Sequence, residues 1–513
     1  MTSTLAPPPP VPAQLRRRRR VVIIGAGLGG LAAALRLHHA GYHVVILEKN
    51  QTCGGRANRW SQSGFTFDTG PSILLMRYVF DELYRSAGET LDEHVELLRL
   101  HPNYRCIFAD GSSLTLTSDL QRLRDQLEQF ERGAGDSLLR FLADAGHKYS
   151  VLRERFLVRN FRSWGEFLSP GNLPHFVDTG VMRRLGPHVA RRFRDPRLQT
   201  VFSFHSMYVG TSPQAAPSVF AFLPYSELVE GIWYPRGGMY RLVESLVGLL
   251  RNRGVEVRCG AEVRHIEHAG QRADAVLLAG GERVPADVVV CNADLPWAYE
   301  NLLGARKVRS WTTRSVDRLR YGCSAVTLYL GVRGDAGDLL HHNFYFGRDM
   351  PANYRAIFGR AAIPEDPAFY VNVATRTDPH LAPDGHHAVF VLGPSATADK
   401  GLDWRGSAAT EYRDRMLDSL SRFGLGDVRE RVTLERMITP DDWREMYNLR
   451  RGATFGVSHD FFQCGYMRPA NRHPTLGNLY FVGASTVPGC GVPTVVISGQ
   501  LVAERIAAEI GSG

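Results

Sequence analysis

The chain has 513 residues, 44% of them hydrophobic and 22% charged, and carries 61 Lys/Arg against 52 Asp/Glu for a formal charge of +9. That length exceeds one compact core and implies two or three domains of ordinary soluble composition. The mild basic excess favours anionic surfaces such as phospholipid or nucleic acid without choosing between them. Seven scattered cysteines show no CxxC pair, which argues against a disulfide framework or a zinc site and fits a reducing compartment. No stretch approaches the ~20 apolar residues of a spanning helix.

Residues 1–20 combine "APPPPVPAQL" with five arginines and are expected to form a disordered tail. The next fifteen residues, Val21 to Leu35, hold no charge. Arginines before an apolar run resemble an export signal, but no small-residue cleavage site follows and four glycines interrupt the run. A strand at Val21–Ile24, a tight turn and a helix explain those glycines better. Gly25, Gly27 and Gly30 form GxGxxG: the first makes the turn, the second lets the backbone approach a pyrophosphate, and the third lets helix pack on strand. The free N–H groups and positive dipole end of the helix suit phosphate. The strand "HVVILEKN" then ends in Glu48, placed 21 residues after Gly27 where an acid meets ribose hydroxyls. Strand, turn, helix, strand and acid together read as a dinucleotide site.

The following segment carries Gly54-Gly55-Arg56 and then "FDTGP", Phe67 to Pro71. Both resemble the flavoproteins that include amine oxidases and carotenoid desaturases. The resemblance implies FAD as cofactor, with Gly55 and Arg56 passing along it and Gly70 close to the flavin. Further on, Met239–Arg253 reads as an amphipathic helix, followed by strands at Val255–Cys259 and near Val263–Ile266. In the family the backbone of a residue like Val263 pairs with adenine. "ERVPADVVVCNAD", Glu282 to Asp294, reads as one buried strand with a polar exit. At the far end "GNLYFVGASTVPGCGVPTVVISGQLVAERI" reads as strand, Gly/Pro-rich turn and long helix. A helix starting near Val492–Thr494 would aim its positive end at the cofactor, with Gly483, Gly491 and Val492 contributing to the site.

"DPRLQTVFSFHSMYVGTSP", Asp195 to Pro213, "GIWYPRGGM" and the C-terminal stretch are similar to bacterial and fungal carotenoid desaturases of the phytoene desaturase type. The likeness runs over residues 21–510. It departs at Val487 and Cys490, where the family usually reads His and Ala. It implies an FAD-dependent enzyme of carotenoid biosynthesis that sends a hydride to flavin N5 and loses a proton. The departure leaves open a 3,4-desaturase or a carotenoid oxygenase or ketolase acting later. An amine oxidase and a non-catalytic flavin or carotenoid carrier are further alternatives. The implied partners are a hydrophobic polyene and a quinone or dioxygen as electron acceptor.

Residues 148–194 hold ten Lys/Arg against three Asp/Glu, with Phe, Trp, Leu and Val between them. Such a segment, expected to be helical, suits the headgroup layer of an anionic bilayer. No nucleic-acid fold signature appears. The expected location is cytoplasmic, peripheral on the inner face of the cell membrane. Acid–base candidates are Asp195, Arg197 and His205. Each has an ordinary alternative: Asp195 as the cap before Pro196, Arg197 as its partner, His205 as a core histidine. The expected fold is α/β: a Rossmann-type FAD domain from residues 21–110, 230–300 and 465–513, a helical membrane and substrate subdomain at 111–229, and a mixed α+β substrate domain at 301–464.

Overall fold

The computed structural model describes residues 18–303 and 313–511. Most of the expected tail therefore lies outside the described residues, and Arg20 already opens the first strand. That strand, Arg20–Ile24, is central in a five-stranded parallel sheet. On one side it pairs with Val288–Cys291, which pairs in turn with Leu479–Phe481. On the other it pairs with His43–Leu47, then Glu256–Arg258. The Val/Ile runs have no polar face because helices or strands cover both sides. The α-helix Leu28–His39 follows the first strand, and Val492–Ile510 packs against it. The two helices approach so closely at Gly499 that a Cβ there would stand 2.8 Å from the Gly29 carbonyl. The two ends of the sequence thus meet in one layer.

The segment expected as one strand over 282–294 is two. Arg283–Pro285 belongs to a three-stranded antiparallel sheet, and Val288–Cys291 to the parallel one. Pro285 lacks the N–H that would continue a ladder, and the Asp287 carboxylate accepts the Arg20 N–H at 2.7 Å. A seven-stranded sheet built mainly from residues 324–438 forms the second layer. Tyr104–Phe108 pairs parallel with His342–Phe346, and its hairpin partner Ser113–Leu116 forms the sheet edge. The expected boundary at residue 110 therefore cuts a hairpin that belongs to this second sheet.

The basic segment is helical only in pieces. Ala134–Leu152 runs into a π-turn at Arg153–Leu157, then short helices at Trp164–Phe167, Leu173–Asp178 and Leu185–Ala190. Gly165, Pro170, Gly171, Pro174 and Gly180 break the pattern.

Among the imidazoles folded into the interior are His341, His342, His459 and His473. Burial pushes His341 down to about 3 and His473 to about 4, and the other two well below the ordinary value. The unfolded chain therefore binds more protons below pH 6.5, and stability falls as pH drops through that value. His473→Gln should reduce the stability lost between about pH 7.5 and 5.5 by about 1 kcal/mol. Urea unfolding at the two pH values checks this, and an unchanged difference would contradict it.

Candidate functional site

Two cavities meet between the layers. The first, about 290 Å³, lies over the ends of the parallel strands. Gly25, at φ +94°, makes the turn after the first strand. A Cβ on Gly27 would stand 2.8 Å from Asn292 Nδ2. Both glycines line this cavity, as do Glu48, Gly55 and Arg56 from the next loop. Gly30 does not. A Cβ there would stand 2.5 Å from the Gly25 carbonyl, so it serves the helix-on-strand packing that the spacing implied. Glu48 is buried, with one oxygen accepting the Ala26 N–H at 2.7 Å and the other the Asn50 N–H at 2.9 Å. Gly70, Val263, Gly483, Gly491 and Val492 complete the expected set along the same wall.

The sequence reading missed several neighbours. Asn292 donates to the Gly25 carbonyl at 3.3 Å and touches the glycine turn. Asp294 also lines the cavity. Burial raises its carboxyl, while the Ser485 hydroxyl and the Arg450 N–H donate to it. Both lie in the polar exit of "VVVCNAD", which was the available signal. Arg468 has no signal at all. Its buried guanidinium donates to five carbonyls, at Val457, Ser458, Gln463, Ala484 and Thr486, over 2.6 to 3.1 Å. His459 accepts the Cys490 N–H at Nε2 (3.0 Å), and its Nδ1 lies 3.2 Å from the Val209 carbonyl. Together they fix the turn before the last helix.

The second cavity measures about 950 Å³, at the large end of small-ligand sites. Aromatic and aliphatic side chains dominate its wall, among them Phe161, Phe204, Phe344, Phe346 and Ile357. It shares Gly70, Pro71, Tyr208, Cys490, Gly491 and Val492 with the first cavity. The positive end of the 19-residue helix Val492–Ile510 is thus set at the junction.

The three acid–base candidates are not brought to that junction. The Asp195 side chain caps the helix Pro196–Ser203 and pairs with Arg197 at 2.7 Å, and Arg197 also reaches Asp110 at 2.8 Å. Neither lines either of these two cavities. His205 is fully buried one layer behind the wall, with Glu227 at 2.7 Å and Tyr104 at 3.0 Å. All three take the ordinary structural roles open to them.

A family profile described as flavin containing amine oxidoreductase matches residues 28–507. A zeta-carotene-forming phytoene desaturase from Myxococcus xanthus is 43% identical over 94% of this chain and 93% of its own length. The chain belongs to the flavin-containing amine oxidoreductases, in their carotenoid desaturase branch. A 4,4'-diapolycopene oxygenase from Methylomonas is 35% identical over 95% of this chain and 98% of its own. An oxidoreductase from Methanosarcina mazei shares the fold, with a TM-score of 0.65 at 18% identity over 94% of this chain and all of its own.

This member of the carotenoid desaturase branch is an FAD-dependent oxidoreductase. Its residues fit the cofactor: Gly25 and Gly27 present no Cβ at the turn where a phosphate would approach, and Glu48 presents a buried carboxylate beside it. Gly55 lies against Gly27, so that a Cβ on it would stand 3.4 Å from the Gly27 Cα. The helix end at Val492 would favour negative charge at the shared wall.

Proposed function

We propose that the enzyme desaturates a long acyclic polyene, phytoene or a related carotenoid, in carotenoid biosynthesis. The observation that carries this reading is the apolar cavity of about 950 Å³ that opens on the wall it shares with the cofactor cavity. An amine needs a polar or charged seat, whereas a polyene needs length and apolar walls. FAD, when bound, supplies the hydride acceptor. The chain's part is to hold two adjacent carbons of a flexible hydrocarbon at the junction and to keep water out. Expression in cells that accumulate phytoene, followed by pigment extraction, should yield carotenoids of longer conjugation. Unchanged phytoene would overturn the reading.

A second reading places the enzyme later in the pathway, on an oxygenated or already conjugated carotenoid. Asn160, Asn471 and Arg505 favour it: they line the same cavity, linked at 3.0 and 2.8 Å, and a hydrocarbon has no use for them. The oxygenase among the relatives supports it as well. Parallel cells accumulating lycopene or a hydroxylated carotenoid distinguish the two.

The same proposal sets the protein at the cytoplasmic face of the cell membrane, drawing substrate from lipid and passing electrons to a quinone or dioxygen. Among the described residues no helix is long and apolar enough to cross a membrane. Support comes from the broken basic segment, where Trp164, Val177 and Met182 are 52%, 80% and 71% exposed among arginines. Trp164 and Met182 also line the substrate cavity, so the apolar patch adjoins its wall. Exposed Leu173 and Val177 lie in this patch but do not line the cavity. The double variant Leu173→Asp/Val177→Asp should bind anionic phosphatidylglycerol vesicles at least fivefold more weakly in sedimentation. Unchanged binding would sink this docking surface.

A further inference from the structure

Desaturation releases one proton for each double bond inside a cavity walled by hydrocarbon, and that proton needs a way out. The Glu227 cluster is a poor outlet: Glu227 and His205 are sealed in the core and lie behind the cavity wall. A different chain of polar groups starts in the wall itself. Ser72 follows Pro71, which lines both cavities, and Ser72 lines the larger one. Its hydroxyl donates to the Tyr370 hydroxyl at 2.8 Å. Tyr370, also in the wall, lies 2.6 Å from His342 Nδ1. Having accepted from Ser72, the Tyr370 hydroxyl has one proton to give, and it goes to that nitrogen. Asn372 Nδ2 approaches the same nitrogen at 3.3 Å. His342 Nδ1 is therefore an acceptor, and its own proton sits on Nε2.

His342 abuts His341, with ring centroids 4.4 Å apart. The Nε2 atoms of both rings are buried and have no hydrogen-bond partner among the described residues. Two such atoms in adjoining rings are costly unless they serve something. His341 Nδ1 lies 2.7 Å from the Thr377 hydroxyl. Thr377 is half-buried, between exposed Arg376 and buried Asp378, with exposed Pro379 next along the chain. Apart from the step between the two histidines, the polar groups therefore lead from beside the wall that the two cavities share to the surface.

We infer that Ser72, Tyr370, His342, His341 and Thr377 form the exit path for the substrate proton. The inference rests on the desaturase reading. With FAD bound as the hydride acceptor, the C–H bond on the carbon next to the one that lost hydride would break and its electron pair would close the new double bond. The proton passes to Ser72 Oγ as the Ser72 proton moves to Tyr370 and the Tyr370 proton moves to His342 Nδ1. The two Nε2 atoms are not hydrogen-bonded to each other at rest, so ring rotation must bring them together before the His342 Nε2 proton passes to His341 Nε2. The His341 Nδ1 proton then moves by way of Thr377 to water. One proton enters, one leaves, and rotation of the hydroxyls and rings resets the path.

Weak bases suffice here. A C–H bond beside a carbocation is a far stronger acid than an imidazolium, so the His342 imidazole, held by burial well below its ordinary range, still accepts its proton. Burial holds the Tyr370 phenol above its usual range, so it relays a proton without resting as an anion.

The test is an anaerobic single turnover with full-length protein and phytoene in phosphatidylglycerol vesicles. It follows flavin bleaching and, with an indicator dye, proton release. In the unsubstituted protein the two signals should rise together and slow in D2O. Tyr370→Phe keeps the ring and removes only the hydroxyl. Proton release should slow at least tenfold, with melting temperature and flavin content unchanged, and His342→Gln should behave alike. Proton release within twofold of the unsubstituted rate in both variants overturns the path alone. Failure of phytoene and of later carotenoids to bleach the unsubstituted protein overturns the desaturase reading and the path with it.

Discussion

Gly70→Ala should leave the protein with less than a tenth of its bound flavin. A Cβ at Gly70 would stand 1.9 Å from the Arg56 carbonyl oxygen and 2.9 Å from its carbon, and real Cβ contacts do not fall under 3.0 Å. The obstacle is backbone, so no side chain can swing aside. The loops carrying Gly70 and Arg56 would have to part by about 1 Å, while the Thr69 N–H to Asn58 carbonyl bond, 2.8 Å long, ties them together. The strain passes along the chain, because the Gly54 N–H is bonded to the Ala26 carbonyl in the glycine turn at 2.8 Å. Tenfold weaker binding corresponds to about 1.4 kcal/mol, a modest demand on a displacement of this size. The ratio of absorbance at the flavin band to that at 280 nm reads the effect. Gly248→Ala is the contrast. It sits in the helix Tyr240–Asn252 with nothing within 4 Å of its Cβ. That variant should keep its flavin and gain roughly 0.5–1 kcal/mol. Full flavin content in Gly70→Ala would refute the close approach of the two loops.

Arg468→Met should cost on the order of 4 kcal/mol or more, and flavin with it. Arg468 is buried, and its five N–H groups meet five carbonyls from the segments 457–463 and 484–486. Burial pushes the guanidinium down to about 10, which still leaves it charged at neutral pH. Hydrogen bonds to a charged donor contribute about 1.5–3 kcal/mol each, though not additively, and Met leaves all five acceptors dry. Total stabilities of about 5–15 kcal/mol put the loss near the limit of folding. Arg468→Lys offers three donors in place of five and should fall between. Thermal melting with flavin content distinguishes the outcomes, and a Met variant melting within about 2 °C of the parent would contradict this account.

The cofactor half of the site was legible in the sequence because it is made of backbone. Close approach needs glycine, and glycine at fixed spacing leaves a pattern: Gly25, Gly27 and Gly30, then Gly54-Gly55, then the turn ending at Gly491. Ten of the eleven expected cofactor residues line the smaller cavity, and Gly30 instead packs helix on strand as its place in the pattern implies. The substrate half was much less legible. Its wall is hydrophobic side chains from distant segments, indistinguishable in sequence from core. Tyr370 and His342 are brought together by the pairing of His342–Phe346 with Phe369–Val373, and Ser72 reaches Tyr370 from a distant loop. The polar residues that did stand out, Asp195, Arg197 and His205, are a helix cap, its partner and a core histidine. Glu282 to Asp294 misled for another reason: the apolar run Val288–Cys291 dominates it, and Pro285 marks where the chain changes sheets.

Anaerobic reduction of the bound flavin by candidate substrates tests the central claim most directly. Phytoene or a later carotenoid, delivered in vesicles, should bleach the flavin band and return a product of longer conjugation, while putrescine and other small amines leave the band unchanged. Bleaching by an amine and by none of the polyenes would contradict the account and make the large apolar cavity a seat for something else.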